Sequence, residues 1–296
     1  MKKLAPLMII GAGSLWGMLG IFVRSLDAWG FTSMEITCLR SLITFLLILA
    51  FLLCYDKKQL AIQKNDLWMF AGSGILSIAF FSFCYFKTIT LSSLSVAAVL
   101  LYTAPVFAVF LSAVLFKEAV DKIKILALIL TVIGCAFTTG LFGGDADLSV
   151  RAVLFGLGAG FGYSLYSIFG TFALKKYPAF TLTFYTFVFS FIATLLMAHP
   201  VSLAGKVAAH PESILTIILC GIFSGVIPYI LYTFGLKYIE AGRASILASI
   251  EPVVATCISV FYFDEPLSLT GICGIVLVLA ALAMMNYNNA ESSRTD

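Results

Sequence analysis

Apolar residues run along this chain in blocks, not in alternation. Windows of about 19 or more mostly apolar residues recur at about 4–22, 34–54, 67–86, 94–116, 123–142, 152–174, 180–198, 213–235, 244–263 and 269–287. Each matches the roughly 20 residues that a helix needs to cross a hydrocarbon layer of about 30 Å. Runs such as SLITFLLILAFLL are apolar on every face, whereas a membrane barrel needs strands of about ten residues with alternating polarity. Helices close their backbone hydrogen bonds internally in lipid, so the pattern predicts an all-α membrane protein with ten transmembrane helices. The first window follows Lys2 and Lys3, as a signal peptide would. It is as long as the later windows and its small-residue pattern returns further on, so it reads as a mature helix.

Composition agrees: 61% of the 296 residues are hydrophobic and 11% charged, and the mean hydropathy is +1.06. A water-soluble globule of this size leaves about a quarter of its unfolded surface exposed and could not hide so much apolar area. With the N-terminus inside, thirteen Lys and Arg residues flank the inner ends of the windows and four (Arg24, Lys87, Arg151, Lys206) the outer ends. This bias places both termini in the cytoplasm and makes the protein a multi-pass component of the plasma (bacterial inner) membrane. The net charge of +3 follows from that bias and calls for no nucleic-acid partner. The seven cysteines fall singly within the windows and read as small packing residues. The longest polar connections, about 55–66, 142–151 and 199–212, have no room for a nucleotide-binding domain, and no Walker-type glycine loop is present. Transport work would draw on a gradient, with protons as the candidate coupling ion, and no cofactor is expected.

The chain repeats itself. A shift of 147 residues lays Gly74, Ile75, Ser77, Tyr85, Pro105, Val106, Ser112, Phe116 and Glu118 on Gly221, Ile222, Ser224, Tyr232, Pro252, Val253, Ser259, Phe263 and Glu265, with 12 identities over 45 ungapped residues. A shift of 145 pairs Gly11, Gly13 and Gly17 with Gly156, Gly158 and Gly162. Four-residue glycine spacing lets helices approach closely, so Gly13, Gly17, Gly158 and Gly162 are expected helix-packing positions. Ala127 and Gly134 likewise match Gly274 and Ala281. Five spans per half is an odd number, so the halves, 1–144 and 145–296, are expected to enter the membrane in opposite senses. FKEAVDKIK after the fourth window carries three lysines and its partner FDEPLSLTG none. Inverted five-helix repeats are the expected design of an alternating-access carrier with its site near the midplane.

Within that plan Glu251 is the leading candidate. It lies about seven residues, roughly 10 Å, into the ninth window, where an acid costs about 2.5–3.5 kcal/mol. A carboxylate facing a watery cavity would bind a cationic or amino group or exchange a proton; a structural acid paired between helices is the plainer alternative. Arg40, about six residues from the outer face, either snorkels outward or turns inward to meet Glu251 or a substrate carboxylate. Pro105 and Pro252, matched by the repeat, would free the carbonyls of Leu101 and Ala248 and serve as hinges or gates, as would Pro228. Trp16, Tyr85, Tyr102, Tyr163, Tyr229 and Tyr232 are the expected aromatic wall of a small-molecule site, each offering an apolar face and a polar tip. His199 and His210 fall in one outer connection with no nucleophile or third metal ligand near, so neither catalysis nor a metal site is expected. Glu118 and Glu265 read as caps or gate contacts.

The GSLWG segment, Arg40, and the segments YTAPVFAVFLSAVLFKE and SIEPVVATCISVFYFDE, each with 13 residues from Pro to Glu, resemble the EamA-type branch of the drug/metabolite transporter superfamily. The likeness covers essentially the whole chain in two copies. It implies a ten-helix inverted-repeat carrier, often an exporter of amino acids or related metabolites, with a central cavity walled by the first, third, fourth, sixth, eighth and ninth helices. The second copy departs by carrying Phe161 where the 145-residue shift puts the equivalent of Trp16. The expected partners are a small-molecule substrate and the lipid bilayer, with the protein a monomer or homodimer. A multidrug or organic-cation exporter of the same fold is the alternative, favoured by an aromatic wall beside one acid.

Overall fold

The computed structural model describes residues 2–138, 149–266 and 268–295, and among them every regular element is a helix. In chain order the long helices are α1 (Ala5–Asp27), α2 (Ser33–Tyr55), α3 (Lys64–Leu91), α4 (Leu94–Phe116), α5 (Lys122–Thr138), α6 (Val150–Leu174), α7 (Ala179–Met197), α8 (Ser213–Leu236), α9 (Ala241–Phe263) and α10 (Leu269–Thr295). Eight of these are long and apolar enough to cross a membrane; α5 and the apolar part of α10, Leu269–Met285, are shorter. The protein is therefore a multi-pass membrane protein. A short helix, Pro200–Ala209, joins α7 to α8. Residues 139–142 of the fifth expected span and the expected boundary at 144–145 lie outside the described residues.

Polar residues punctuate the helices where the backbone has unpaired groups. Thr32 and Glu35 form a reciprocal capping box at the start of α2, with the Thr32 amide donating to Glu35 at 2.7 Å and the Glu35 amide to Thr32 Oγ1 at 3.3 Å. Ser149 caps α6 by accepting from the Ala152 amide. Helices α4 and α9 both end on a left-handed residue, Lys117 (φ 56°) and Asp264 (φ 55°), 147 positions apart.

Several long helices are interrupted, and the interruptions also recur at that offset. Helix α4 breaks at Tyr102–Thr103 into α4a (Leu94–Leu101) and α4b (Ala104–Phe116). Helix α9 breaks at Ser249–Ile250 into α9a (Ala241–Ala248) and α9b (Glu251–Phe263). Pro105 and Pro252 thus stand in the first turn of α4b and α9b, where a missing N–H costs nothing. Neither proline interrupts a continuous helix: each stands in the first turn of a new half-helix. Helices α3 and α8 carry wide π-helical stretches at Gly72–Phe80 and Gly221–Val226. Pro228 follows the second of these in the first turn of the next α-helical segment; the position 147 residues before it is Phe81, so proline is not the cause of the widening.

Packing is reciprocal between the halves. Helix α1 lies against α8 and α9, α6 against α3 and α4, α2 against α7, and α5 against α10. Without a hydrophobic drive in lipid, small residues and interhelical hydrogen bonds hold such contacts. Ser41 meets Ser190 at 2.9 Å, Ser73 meets Thr186 at 2.6 Å, and Thr44 donates to the Gly221 carbonyl at 3.3 Å. In the α5–α10 crossing, Gly134 and Gly274 each face the other's backbone.

The glycines of α1 and α6 correct the register expected from sequence. A Cβ on Gly13 would come 2.5 Å from the Ala248 carbonyl oxygen, and one on Gly160 would come 2.9 Å from the carbonyl oxygen of Leu100 and 3.2 Å from that of Leu101. Ala248 and Leu101 each end a half-helix and lie 147 apart, as Gly13 and Gly160 do. The equivalent of Gly13 is thus Gly160, not Gly158, and GAG at 11–13 lies on GAG at 158–160. In this register Trp16 corresponds to Tyr163, which removes the apparent mismatch with Phe161. Gly17 sits against the Glu251 carbonyl, Gly162 against the Leu76 carbonyl and Phe81, and Gly158 against Cys84. We expect Gly13→Val and Gly160→Val each to force these helices apart and destabilise the protein by at least about 1–3 kcal/mol. Thermal unfolding in detergent reads this, with Gly20→Ala, which meets nothing within 4 Å, as the silent control.

Candidate functional site

The break in α9 puts Glu251 at the first position of α9b. A carboxylate there lies at the positive end of the half-helix dipole, which offsets part of the cost of an acid inside the membrane. Its backbone carbonyl rests on Gly17 of α1, and Tyr163 of α6 donates its hydroxyl to Oε2 at 2.9 Å. Glu251 therefore points between helices, toward the interior. Tyr163 is its one hydrogen-bonding side chain among the described residues, which leaves Oε1 free for a ligand. The matched position in α4b is Ala104, so the acid belongs to one half only.

Arg40 of α2 is 6% exposed, so it turns inward and does not snorkel. Its Nε is buried without a hydrogen-bond partner, and no carboxylate among the described residues lies at ion-pair distance. The direct pair with Glu251 weighed from the sequence is absent. A buried guanidinium with donors unspent is costly unless an acceptor arrives.

Tyr163, the partner of Glu251, belongs to an aromatic cluster. Trp16 of α1 lies 5.0 Å from Tyr229, 5.4 Å from Tyr232 and 6.1 Å from Tyr163, centroid to centroid. Trp16, Tyr163, Tyr229 and Tyr232 line a narrow cavity with Ser77, Tyr166 and Ser167; its volume of about 10 Å³ holds about one water molecule. Hydrogen bonds fix the wall: Ser167 to Tyr232 at 2.6 Å and Tyr166 to Thr233 at 2.7 Å. The indole Nε1 of Trp16 is buried with no partner, a second donor awaiting an acceptor. Tyr85 and Tyr102 lie outside the cavity wall.

Ser77, Tyr166 and Ser167 were not singled out from the sequence. A helical reading could have found the last two, since 163, 166 and 167 share one face of α6. His199 starts the short helix between α7 and α8, and His210 pairs with Glu212 at 3.2 Å. Among the described residues no group of three or more His, Cys, Asp or Glu could hold a metal ion.

Comparison with known proteins bears on the whole chain. The model of the EamA-like transporter family matches twice, over residues 3–140 and 150–287, again an offset of 147. The chain is 32% identical to an uncharacterised transporter of Archaeoglobus fulgidus over 93% of both proteins. It is 23% identical to an uncharacterised inner membrane transporter of Salmonella typhimurium over 97% of this chain and 96% of the other. A solved crystal structure superposes with a TM-score of 0.74 over 95% of both chains at 20% identity, a likeness of fold alone. With both copies of the family model spanning the helices that build the site, the chain belongs to the EamA-like transporter family.

Proposed function

We propose that this chain is a secondary active transporter of the plasma membrane that exports a small polar metabolite, an amino acid, by alternating access. The observation that carries the substrate class is a pair of opposite charges, Glu251 half-buried between helices and Arg40 buried, that do not meet. Glu251 keeps one carboxylate oxygen free while it holds Tyr163 of the aromatic wall, and Arg40 keeps its guanidinium without an ion-pair partner among the described residues. A zwitterion answers both, its ammonium on Glu251 and its carboxylate on Arg40, bidentately as a guanidinium favours. The wall at Trp16, Tyr229 and Tyr232 then selects side-chain shape. The cavity is too small to hold an amino acid as it stands, so loading requires these rings to move apart.

In this reading the units 1–144 and 145–296 are inverted repeats of five membrane helices each, ten in all, with both termini cytoplasmic. The recurrence of breaks, left-handed caps and carbonyl-facing glycines at one offset supports the repeat, and the thirteen-to-four distribution of basic residues supports the orientation. Glu251 is also the group that would exchange a coupling proton, and the working unit is a monomer or homodimer.

The second reading, a multidrug or organic-cation exporter, draws on the same cluster, since an acid beside Trp16 and several tyrosines suits a lipophilic cation. Flux in reconstituted vesicles separates the two. We expect amino acids to exchange across the membrane and lipophilic cations not to; cation flux without amino-acid flux overturns the substrate assignment.

A further inference from the structure

The two halves are not in the same state, and the difference centres on two carboxylates. Glu118, just past α4b, accepts from the amides of Ala241 and Gly242 at 2.9 and 3.4 Å, so it caps the N-terminus of α9a. Beneath this cap the helices meet tightly: a Cβ on Gly242 would come 2.9 Å from Ser112 Oγ and 3.0 Å from Val109 Cα. Beside it Lys124, itself buried, bonds Glu240 at 2.7 Å. α9a accordingly buries seven of its eight residues.

The positions 147 residues away keep the glutamate and the serine but differ in contact. Glu265 corresponds to Glu118, Leu94 and Ser95 to Ala241 and Gly242, and Ser259 to Ser112. Glu265 does not cap α4a. It bonds Ser259 and forms a pair with Arg24 at 2.8 Å, about half exposed on both sides; the Ser259 hydroxyl and then Arg24 hold its carboxyl below the usual range, so it is ionised. α4a is capped only by Ser93, and its Leu94 and Ser95 amides have no acceptor among the described residues. It buries three of its eight residues, Leu94 is 59% exposed where Ala241 is 1% exposed, and α4a barely touches α9b.

We infer that Glu118 and Glu265 are reciprocal closure groups. Glu118 on the α9a N-terminus shuts the side of the site seen closed here. In the opposite state Glu265 leaves Arg24, takes the free amides of Leu94 and Ser95, and shuts the other side by bringing α4a onto α9b, with Ser95 against Ser259 as Gly242 is against Ser112. Leaving Arg24 costs little, because a half-exposed ion pair is worth little, and Arg24 keeps its place over the Phe263 ring at 4.1 Å. Only one closure forms at a time, since each needs its own half-helix pair to pack while the other opens. The assignment rests on alternating access and is independent of what is carried.

Disulfide cross-linking in membranes, read beside flux, tests it. In a background lacking the seven native cysteines, Ser95→Cys with Ser259→Cys reports the unseen closure. Ser41→Cys with Ser190→Cys, whose hydroxyls lie 2.9 Å apart across α2 and α7, reports the folded scaffold. We expect the first pair to cross-link and the bond to stop flux until it is reduced. Glu118→Gln should raise its rate about fivefold and Glu265→Gln lower it as much, the factor that one charged cap shifts an equilibrium. If Glu118→Gln loses the scaffold bond, Glu118→Asp, which keeps the charge with shorter reach, takes its place with the same direction. No Ser95–Ser259 bond in a protein that still shows flux overturns the closure assignment and leaves the transporter reading intact, as does a rate that ignores both glutamates.

Discussion

We expect Glu251→Gln to insert normally and to lose the proposed export. The substitution keeps the volume and an oxygen that accepts from Tyr163, so the bond from α6 to α9b survives. What goes is the negative charge at the start of α9b, and with it the partner of a substrate ammonium. Removing one member of a buried charged contact costs about 2–5 kcal/mol, or roughly 10²-fold in transport. The folded protein gains, because an uncharged amide needs less compensation inside the membrane than a carboxylate. Comparing metabolites retained and released by cells that overexpress either form measures this. Export at the level of the unsubstituted protein would show that Glu251 is a structural acid.

Arg40→Met is the complementary case. Methionine fills the space of the stem without a charge, so the contacts of α2 persist and the buried unpaired guanidinium disappears. Stability should hold or rise, while affinity for a carboxylate-bearing ligand falls by about 10²-fold. An amino-acid methyl ester, which has lost the carboxylate, should then bind the variant as well as the parent acid does. Arg40→Lys is not a rescue, since an ammonium cannot reproduce the planar two-point contact. Equal affinity for the acid before and after Arg40→Met would show that the guanidinium serves the fold and not the substrate.

The membrane helices were legible because lipid demands long apolar runs, and the repeat was legible from α3 to the end of α4 because Pro, Tyr and Glu are rare enough there to fix the register. The first helix of each half was not. Glycine-rich segments match one another at several shifts, and the contacts of Gly13 and Gly160 with carbonyls at the breaks, together with the two family-model matches, select 147 over 145. Glu251 beside Pro252 was visible as an oddity, yet its position at the head of a new half-helix depends on a break that the halves share although its three positions before the proline, Tyr102–Ala104 and Ser249–Glu251, have no residue in common. Arg40 could not be placed, because snorkelling and turning inward require the same residue at the same depth. Ser167 and Tyr166 escaped notice since a serine or tyrosine on a long membrane helix is ordinary until its partner on α8 is known.

The most direct measurement is the thermal stability of the purified, unsubstituted protein with amino acids, their methyl esters and their N-acetyl derivatives. A ligand at about 100 times its dissociation constant adds about 2.7 kcal/mol to the folded state. If Glu251 and Arg40 hold the two ends of one substrate, some intact amino acid raises the unfolding temperature and neither blocked form of it does. Equal stabilisation by the blocked forms, or stabilisation by lipophilic cations alone, would contradict a site built for a zwitterion.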